Sequence, residues 1–345
     1  MALPLLAMVA FGAFGWAYTD VRGDLAHVRN RLAPALVDLA DAKASLLIAQ
    51  SEAEDNLERG GAVELGGMGE RYRTRVARAT QSLNQVVRGG ALTVAEEQEL
   101  RVVSALVVDY TAWVARAQGH AADSVLGDAE LSYARGMLCP PPDGDGREDG
   151  YPQCGKPTGS DATSIVDRVV GLERQVRDRI AERSAWGTGV ITAAAVSGAA
   201  CVLLAAGLCG TLSFLRRRFR IRLSVPLVVA ALPLCAVPLL TWDALRAHDA
   251  LSRVVPVADE LVEDTSAKTE TIAEERPFEN DAEPRSIAFL AARVDDRLAG
   301  GRLAFLDGLA VFVLPAGLAT AALAGGTLHA YRREYLLVVR PGAVS

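Results

Sequence analysis

The sequence predicts an all-α integral membrane protein: four transmembrane helices with an extracytoplasmic antiparallel four-helix bundle. Three observations carry this expectation. Four nearly uncharged apolar runs, residues 2–19, 188–214, 225–242 and 303–330, each approach the ~20 residues that cross ~30 Å of hydrocarbon as a helix. Between the second and third runs, "FLRRRFRIRLSVPL" places Arg216, Arg217, Arg218, Arg220 and Arg222 within seven positions. Apolar residues also recur at alternating spacings of three and four through much of 25–180, the period of packed helices. The apolar runs lack the alternation of barrel strands, which leaves the helix as the way to satisfy backbone polar groups in lipid. A 345-residue chain with 50% hydrophobic but only 6% aromatic residues is also unusual for one soluble core.

Residues 1–19 form the first expected transmembrane helix. They lack a basic segment before the apolar core, and Gly15-Trp16-Ala17 loosely fits a cleavage site; an uncleaved anchor is preferred because a helical pattern follows directly. The expected order continues with an extracytoplasmic helical bundle at 20–187, the second span at 188–214 and a basic cytoplasmic turn at 215–224. The third span at 225–242, a smaller acidic extracytoplasmic region at 243–302, the fourth span at 303–330 and a cytoplasmic tail at 331–345 complete it. Orientation follows from the arginine-rich turn, since short Lys/Arg-rich loops stay inside, which puts both termini in the cytoplasm. Trp16, Trp186 and Trp242 fall at the outer ends of three spans, as an interfacial aromatic belt requires.

Within 20–187, Leu25, Val28, Leu32, Ala35, Leu39, Ala42, Leu46, Ala49 and Ala53 mark a heptad seam on the first long helix, with a kink expected at Pro34. The glycine-rich stretch 60–69 ends it. A second helix at about 70–88 carries Tyr72, Val76, Ala79, Leu83 and Val86 and stops at Gly89-Gly90. Thr93 and Glu96 form a capping box for a third helix, whose seam is Leu100, Val103, Val107, Tyr110, Val114 and Ala117. After a short helical piece and a cysteine-bracketed loop, Ser160 or Asp161 caps a fourth helix with Ile165, Val169, Leu172, Val176 and Ile180. That helix runs into the second span without a breaker. In 243–302, fourteen Asp/Glu against eight Lys/Arg read as polar helices broken near Pro256, Pro277 and Pro284.

A transmembrane helix, a four-helix outside region and a second transmembrane helix continuous with it resemble the sensing modules of bacterial chemoreceptors and sensor histidine kinases. The resemblance covers residues 1–214 and lies in architecture and periodicity, so it transfers no binding residue. It implies a sensor-like role. Those receptors continue into an output domain, whereas about ten residues separate the second and third spans here.

Candidate sites are few. Cys139 and Cys154 bracket a Pro/Gly/Asp-rich loop on the oxidising side and are expected to form a disulfide, while Cys201, Cys209 and Cys235 fall in spans. Arg71, Arg75 and Arg78 form a stripe that could contact an anion, although Glu52, Glu54, Asp55 and Glu58 on the preceding helix offer interhelical ion pairs. Arg216, Arg217, Arg218, Arg220 and Arg222 are expected at lipid headgroups and not on nucleic acid, because two spans tether them. "DGDGREDG" departs from a calcium loop at Arg147 and Glu148, and the four histidines show no metal-ligand spacing, so neither a cofactor nor a metal is expected. Three lysines against 33 arginines point to a GC-rich coding sequence such as an actinobacterial one.

The expected function is a non-enzymatic membrane protein, multi-pass in the cell membrane, whose sensor-like bundle signals through another membrane protein or a homodimer. The ligand is unknown. The alternative is a structural or accessory subunit of a membrane complex such as a transporter.

Overall fold

The computed structural model describes residues 2–58, 69–121, 123–139, 164–219, 225–267, 285–299 and 313–338. Every regular element among them is helical. The chain divides into two compact units, one of residues 1–26, 185–250 and 299–345, the other of 27–184 and 251–298.

The second unit contains the helical bundle. Helix α1 (Ala2–His27) leads into a π-helical turn at Val28–Leu32 and then α2 (Ala33–Glu58). The kink expected at Pro34 takes the form of that widened turn, in which the Ala33 N–H reaches back five residues to the Val28 carbonyl. Proline lacks an N–H and its ring crowds the carbonyl four residues earlier, a conflict that a π turn relieves. Helices α3 (Glu70–Gly89), α4 (Val94–Gly119), α5 (Ser124–Leu138) and α6 (Ile165–Ser184) follow.

Local chemistry sets these boundaries. Gly90, at φ 59°, takes the left-handed conformation that ends α3. Thr93 and Glu96 make the expected reciprocal capping box at α4, with the Thr93 N–H donating to Glu96 Oε2 at 2.6 Å. Asp123 caps α5 through the Leu126 N–H. Helix α6 is capped by Ser164, whose Oγ accepts from the Asp167 N–H at 3.1 Å and donates to Asp167 Oδ2 at 2.9 Å. The caps expected at Ser160 or Asp161 lie outside the described residues.

The packing differs from a ring of four single-seamed helices. Residues 39–50 of α2 are all buried, so α2 is the central helix, packed by α3 on one face and by α5 and α6 on others. Ala40, Ala42, Ala44 and Ala49 keep its girth small enough for such close surrounding. The short helical piece is a full member of the bundle: α5 buries Leu131, Ala134 and Leu138 and sets Tyr133 against Trp113 of α4 at 4.4 Å.

The acidic region does not stand apart from the bundle. Helix α8 (Val225–Ala267) passes through Pro256 unbroken, contrary to the expected break there, and α9 (Arg285–Ala299) begins directly after Pro284. Residues 251–298 belong to the same unit as 27–184. Ion pairs link them to it: Arg177 of α6 to Asp259 at 3.5 Å and Arg29 to Asp295 at 3.9 Å. Pro277 lies outside the described residues.

The first unit comprises most of α1, helix α7 (Thr188–Phe219), the first part of α8 and helix α10 (Val313–Val338). Its core joins Ala7 and Phe11 of α1, Leu204 and Leu208 of α7 and Ala321 of α10, with Leu234 and Val237 of α8 packed against them. Ser197 of α7 donates to the Ala10 carbonyl at 3.1 Å. Among the described residues one stretch, Ile165–Thr211, contains an 18-residue window apolar enough to cross a membrane by length and composition, with a mean hydropathy of 2.1 in that window. That stretch is interrupted at 185–187, where Trp186 and Gly187 separate α6 from α7, so the run from bundle to span has a breaker after all. The other three apolar runs contribute α1, the start of α8 and α10. The small residues Ala195, Ala199, Ala206 and Gly210 are exposed, while α7 packs through Ser197, Ala200, Leu204 and Leu208.

Gly317 is where α10 meets α1 most closely. A Cβ there would lie 2.5 Å from the Phe11 Cβ, whereas one at Gly326 would meet nothing within 4 Å. Gly317→Ala is therefore expected to lower the melting temperature of the detergent-solubilised protein, because overpacking costs about 1–3 kcal/mol. Gly326→Ala is expected to be neutral or to stabilise by up to about 1 kcal/mol, through helix propensity alone. Equal melting of the two variants would contradict the α1–α10 packing.

Candidate functional site

The feature that sets the bundle apart is the polarity of its interior. Asp41, Lys43, Ser45 and Gln50 of α2, Arg75 and Ser82 of α3, and Asp167 and Glu173 of α6 are all buried. Their distribution follows the geometry of α2. Residues 41 and 45 lie on one face, while 43, 50 and 54 lie on the opposite one.

On the first face, Asp41 Oδ2 accepts from Arg78 Nε at 2.7 Å and from Ser82 Oγ at 2.6 Å. Arg75 lies one turn away, and burial pulls its guanidinium pKa down against the opposing charges of Asp41 and Glu52. On the second face, Lys43 Nζ meets Glu173 Oε2 at 2.7 Å, with 1% and 0% of the two side chains exposed. Burial pushes the Glu173 carboxyl pKa up, although Lys43 pulls it the other way.

Two turns further along α2, Tyr110 of α4 donates to Gln50 Oε1 at 2.9 Å, and Gln50 Nε2 donates to Glu54 Oε1 at 2.5 Å. Arg135 Nε of α5 donates to the same Glu54 oxygen at 2.8 Å. Burial also raises the Tyr110 and Tyr72 hydroxyl pKa values. One helix thus holds buried polar links to α3, α4, α5 and α6.

Such an interior is costly to assemble, because each buried charge loses several kcal/mol of hydration that only good geometry recovers. Among the described residues, Glu173 Oε1, Asp41 Oδ1 and Ser45 Oγ are buried with no hydrogen-bond partner. Fully satisfied buried networks specify a unique core, whereas each buried polar atom left without a partner costs stability.

A groove of about 370 Å³ runs between α4 and α6, lined by residues that include Glu96, Glu99, Asp167, Arg168 and Gly171. Its charges are paired across the helices, Arg179 with Glu96 at 2.8 Å and Arg168 with Glu99. No group of three or more potential metal ligands occurs among the described residues.

The residues singled out in sequence are distributed as follows. Arg78 is committed to Asp41, Arg71 is exposed with Glu52 4.0 Å away, and Arg75 is buried between helices, so the stripe faces the acids of α2. Cys139, buried at the end of α5, is not among the free thiols, which are Cys201, Cys209 and Cys235. Cys154 lies outside the described residues. Arg216, Arg217 and Arg218 fall in the last turn of α7, and Arg220 and Arg222 lie outside the described residues. Sequence reasoning missed Asp41, Lys43 and Glu173. A signal was available: Lys43 is one of three lysines and sits amid alanines and leucines, where a solvated residue has little place.

Residues 24–139 match the Actinobacterial sensor domain, which takes in the end of α1, the π turn and α2 to α5. The α2-centred links to α3, α4 and α5 fall inside the matched segment, and Glu173 of α6 falls beyond it. No curated protein and no solved structure matches the chain. With the helical elements of the described residues, the match supports a sensor-like module in this part of the chain.

Proposed function

We propose that the chain is a non-enzymatic, multi-pass membrane sensor whose outside bundle passes its packing state to another membrane protein or to a second copy of itself. The family match supports the sensing role. The observation that carries the membrane reading is the inverted polarity of the first unit. Leu5 and Met8 of α1, Val202 and Leu203 of α7, Leu239 of α8 and Leu318 of α10 are exposed, while Ser197, Asp243 and Thr320 are buried. Helices that turn leucine outward and polar groups inward are solvated by lipid. Trp16, Trp186 and Trp242 are exposed too, as residues of an interfacial belt are.

On this reading α1, α7, α8 and α10 are four spans, the bundle lies outside, both termini are cytoplasmic, and the arginines of 215–224 meet anionic headgroups. Single-cysteine labelling of intact cells tests it. Positions near Gly67 and Glu270 are expected to react with an impermeant reagent and Ser345 to be protected; reaction at Ser345 overturns the topology. Crosslinking in membranes followed by purification is expected to recover one membrane protein, or a dimer of this chain, whose yield changes when the bundle is destabilised. Unchanged association would favour a docking subunit over a sensor.

The same reading places Cys139 and Cys154 on the oxidising side, bonded to each other. The bond is expected to stabilise the bundle by ~3 kcal/mol for a loop of this size. Non-reducing mass mapping checks the pairing, and two alkylated thiols in the native protein would refute it.

A further inference from the structure

Asp243, which directly follows the third apolar run, is a charged residue of the first unit that is 0% exposed. Tyr18 of α1 donates its hydroxyl to Asp243 Oδ2 at 2.9 Å. Arg22, one helical turn beyond Tyr18, brings Nη2 to 3.2 Å from the same oxygen, and its guanidinium carbon lies 5.8 Å from the centre of the Tyr18 ring. Apolar groups surround the cluster: Phe14 stacks on Tyr18 at 6.0 Å, and Leu240 and Ala244 pack beside it.

We propose that Tyr18, Arg22 and Asp243 form a polar latch between α1 and α8, holding one of two packings of these helices at the outer membrane boundary. The proposal rests on the reading of both as membrane helices. Leucine or phenylalanine would pack this site without the hydration cost of a buried ion pair. A static tie would also satisfy the carboxylate fully, yet Asp243 Oδ1 is buried with no hydrogen-bond partner among the described residues. The latched state is therefore strongly specified but under-satisfied. A turn or slide of α1 that carries Tyr18 and Arg22 away would let water reach both carboxylate oxygens, and that hydration sustains the released packing. Packed helices switch between such discrete arrangements in preference to deforming continuously. The Tyr18 hydroxyl and the Arg22 guanidinium sit on one face of α1, four residues apart, so a single rotation of that helix breaks the hydrogen bond and the ion pair together.

The experiment uses the full chain in membranes, with Cys201, Cys209 and Cys235 replaced by Ala and a reporter cysteine at Ala244→Cys, beside the latch. An impermeant maleimide is applied from outside. The unmodified latch is expected to react to completion but more slowly than an exposed site, because Ala244 is partly buried beside it. Asp243→Asn and Arg22→Gln are each expected to accelerate labelling by at least about tenfold, the effect of a 1.4 kcal/mol shift in the opening equilibrium. Tyr18→Phe, which keeps the ion pair and the ring, is expected to give roughly threefold, in line with one hydrogen bond. The charge swap Arg22→Asp with Asp243→Arg is expected to return the rate to within about threefold of the starting protein. Labelling at the unmodified rate in Asp243→Asn and Tyr18→Phe overturns the latch, as does a swap that melts normally yet stays fully open. If the charge variants fail to fold, Tyr18→Phe alone decides. Failure of the membrane reading looks different: the reporter would then react from the cytoplasmic side, whatever the latch residues.

Discussion

Leu39→Asp is expected to abolish the cooperative melting of the bundle. Leu39 is 0% exposed on the central helix, in the stretch where every residue from 39 to 50 is buried. Truncating a buried leucine alone costs about 2–5 kcal/mol. A carboxylate at that position adds the desolvation of a charge with no partner, several kcal/mol more. The sum approaches or exceeds the ~5–15 kcal/mol that holds a typical domain together. Circular dichroism of the detergent-solubilised protein should show the broad, early loss of helicity of a collapsed bundle. A sharp transition near that of the unmodified protein would mean that α2 is not the central helix.

Breaking the Lys43–Glu173 pair is expected to be nearly as damaging, and removing both partners is not. Lys43→Met leaves a buried carboxylate without its ion, and Glu173→Leu leaves a buried ammonium; each is expected to cost about 3–5 kcal/mol. For a unit of this size that lowers the melting midpoint by roughly 10 °C or more. The double variant is expected to melt within about 1 kcal/mol of the starting protein or above it, because the desolvation of both ions disappears with their attraction.

The pair also sets a pH dependence. Burial raises the Glu173 pKa above its ordinary 4.5, so the folded state holds that proton more tightly than the unfolded chain does. Stability from this group is complete below the ordinary value and is lost as pH rises through the raised one. The midpoint should fall with rising pH across that window in the starting protein, and this component should be missing from the double variant. A coupling energy near zero in the double-mutant cycle, or an identical pH profile, would refute the assignment.

Particular helices show how far sequence reasoning reached. All six seam positions expected on α4, from Leu100 to Ala117, are buried. The nine expected from Leu25 to Ala53 are buried as well, but so is the opposite face of α2, because a second layer of helices covers it. A heptad seam reports that one face is covered. It carries no information about the other. The candidate site fared worse for the same reason: Arg75 reads as part of a stripe that contacts an anion or pairs with the acids of the preceding helix, and its burial depends on where α2 lies against α3.

By itself, the sequence determined the helical class, the cap at Thr93, the stop at Gly90, the seams and the apolar runs. These are local matters, settled by hydrogen bonds and side chains within a few residues of each other. Tertiary structure alone decided that α2 is central, that 251–298 joins the unit of 27–184, and that Lys43 meets Glu173 across 130 positions and Tyr18 meets Asp243 across 225. A buried charge is tolerated only where its partner arrives with good geometry. Such a partner comes from a distant segment whose approach leaves no mark on local periodicity, so the polar contacts that give this protein its candidate function became visible only once the helices were packed.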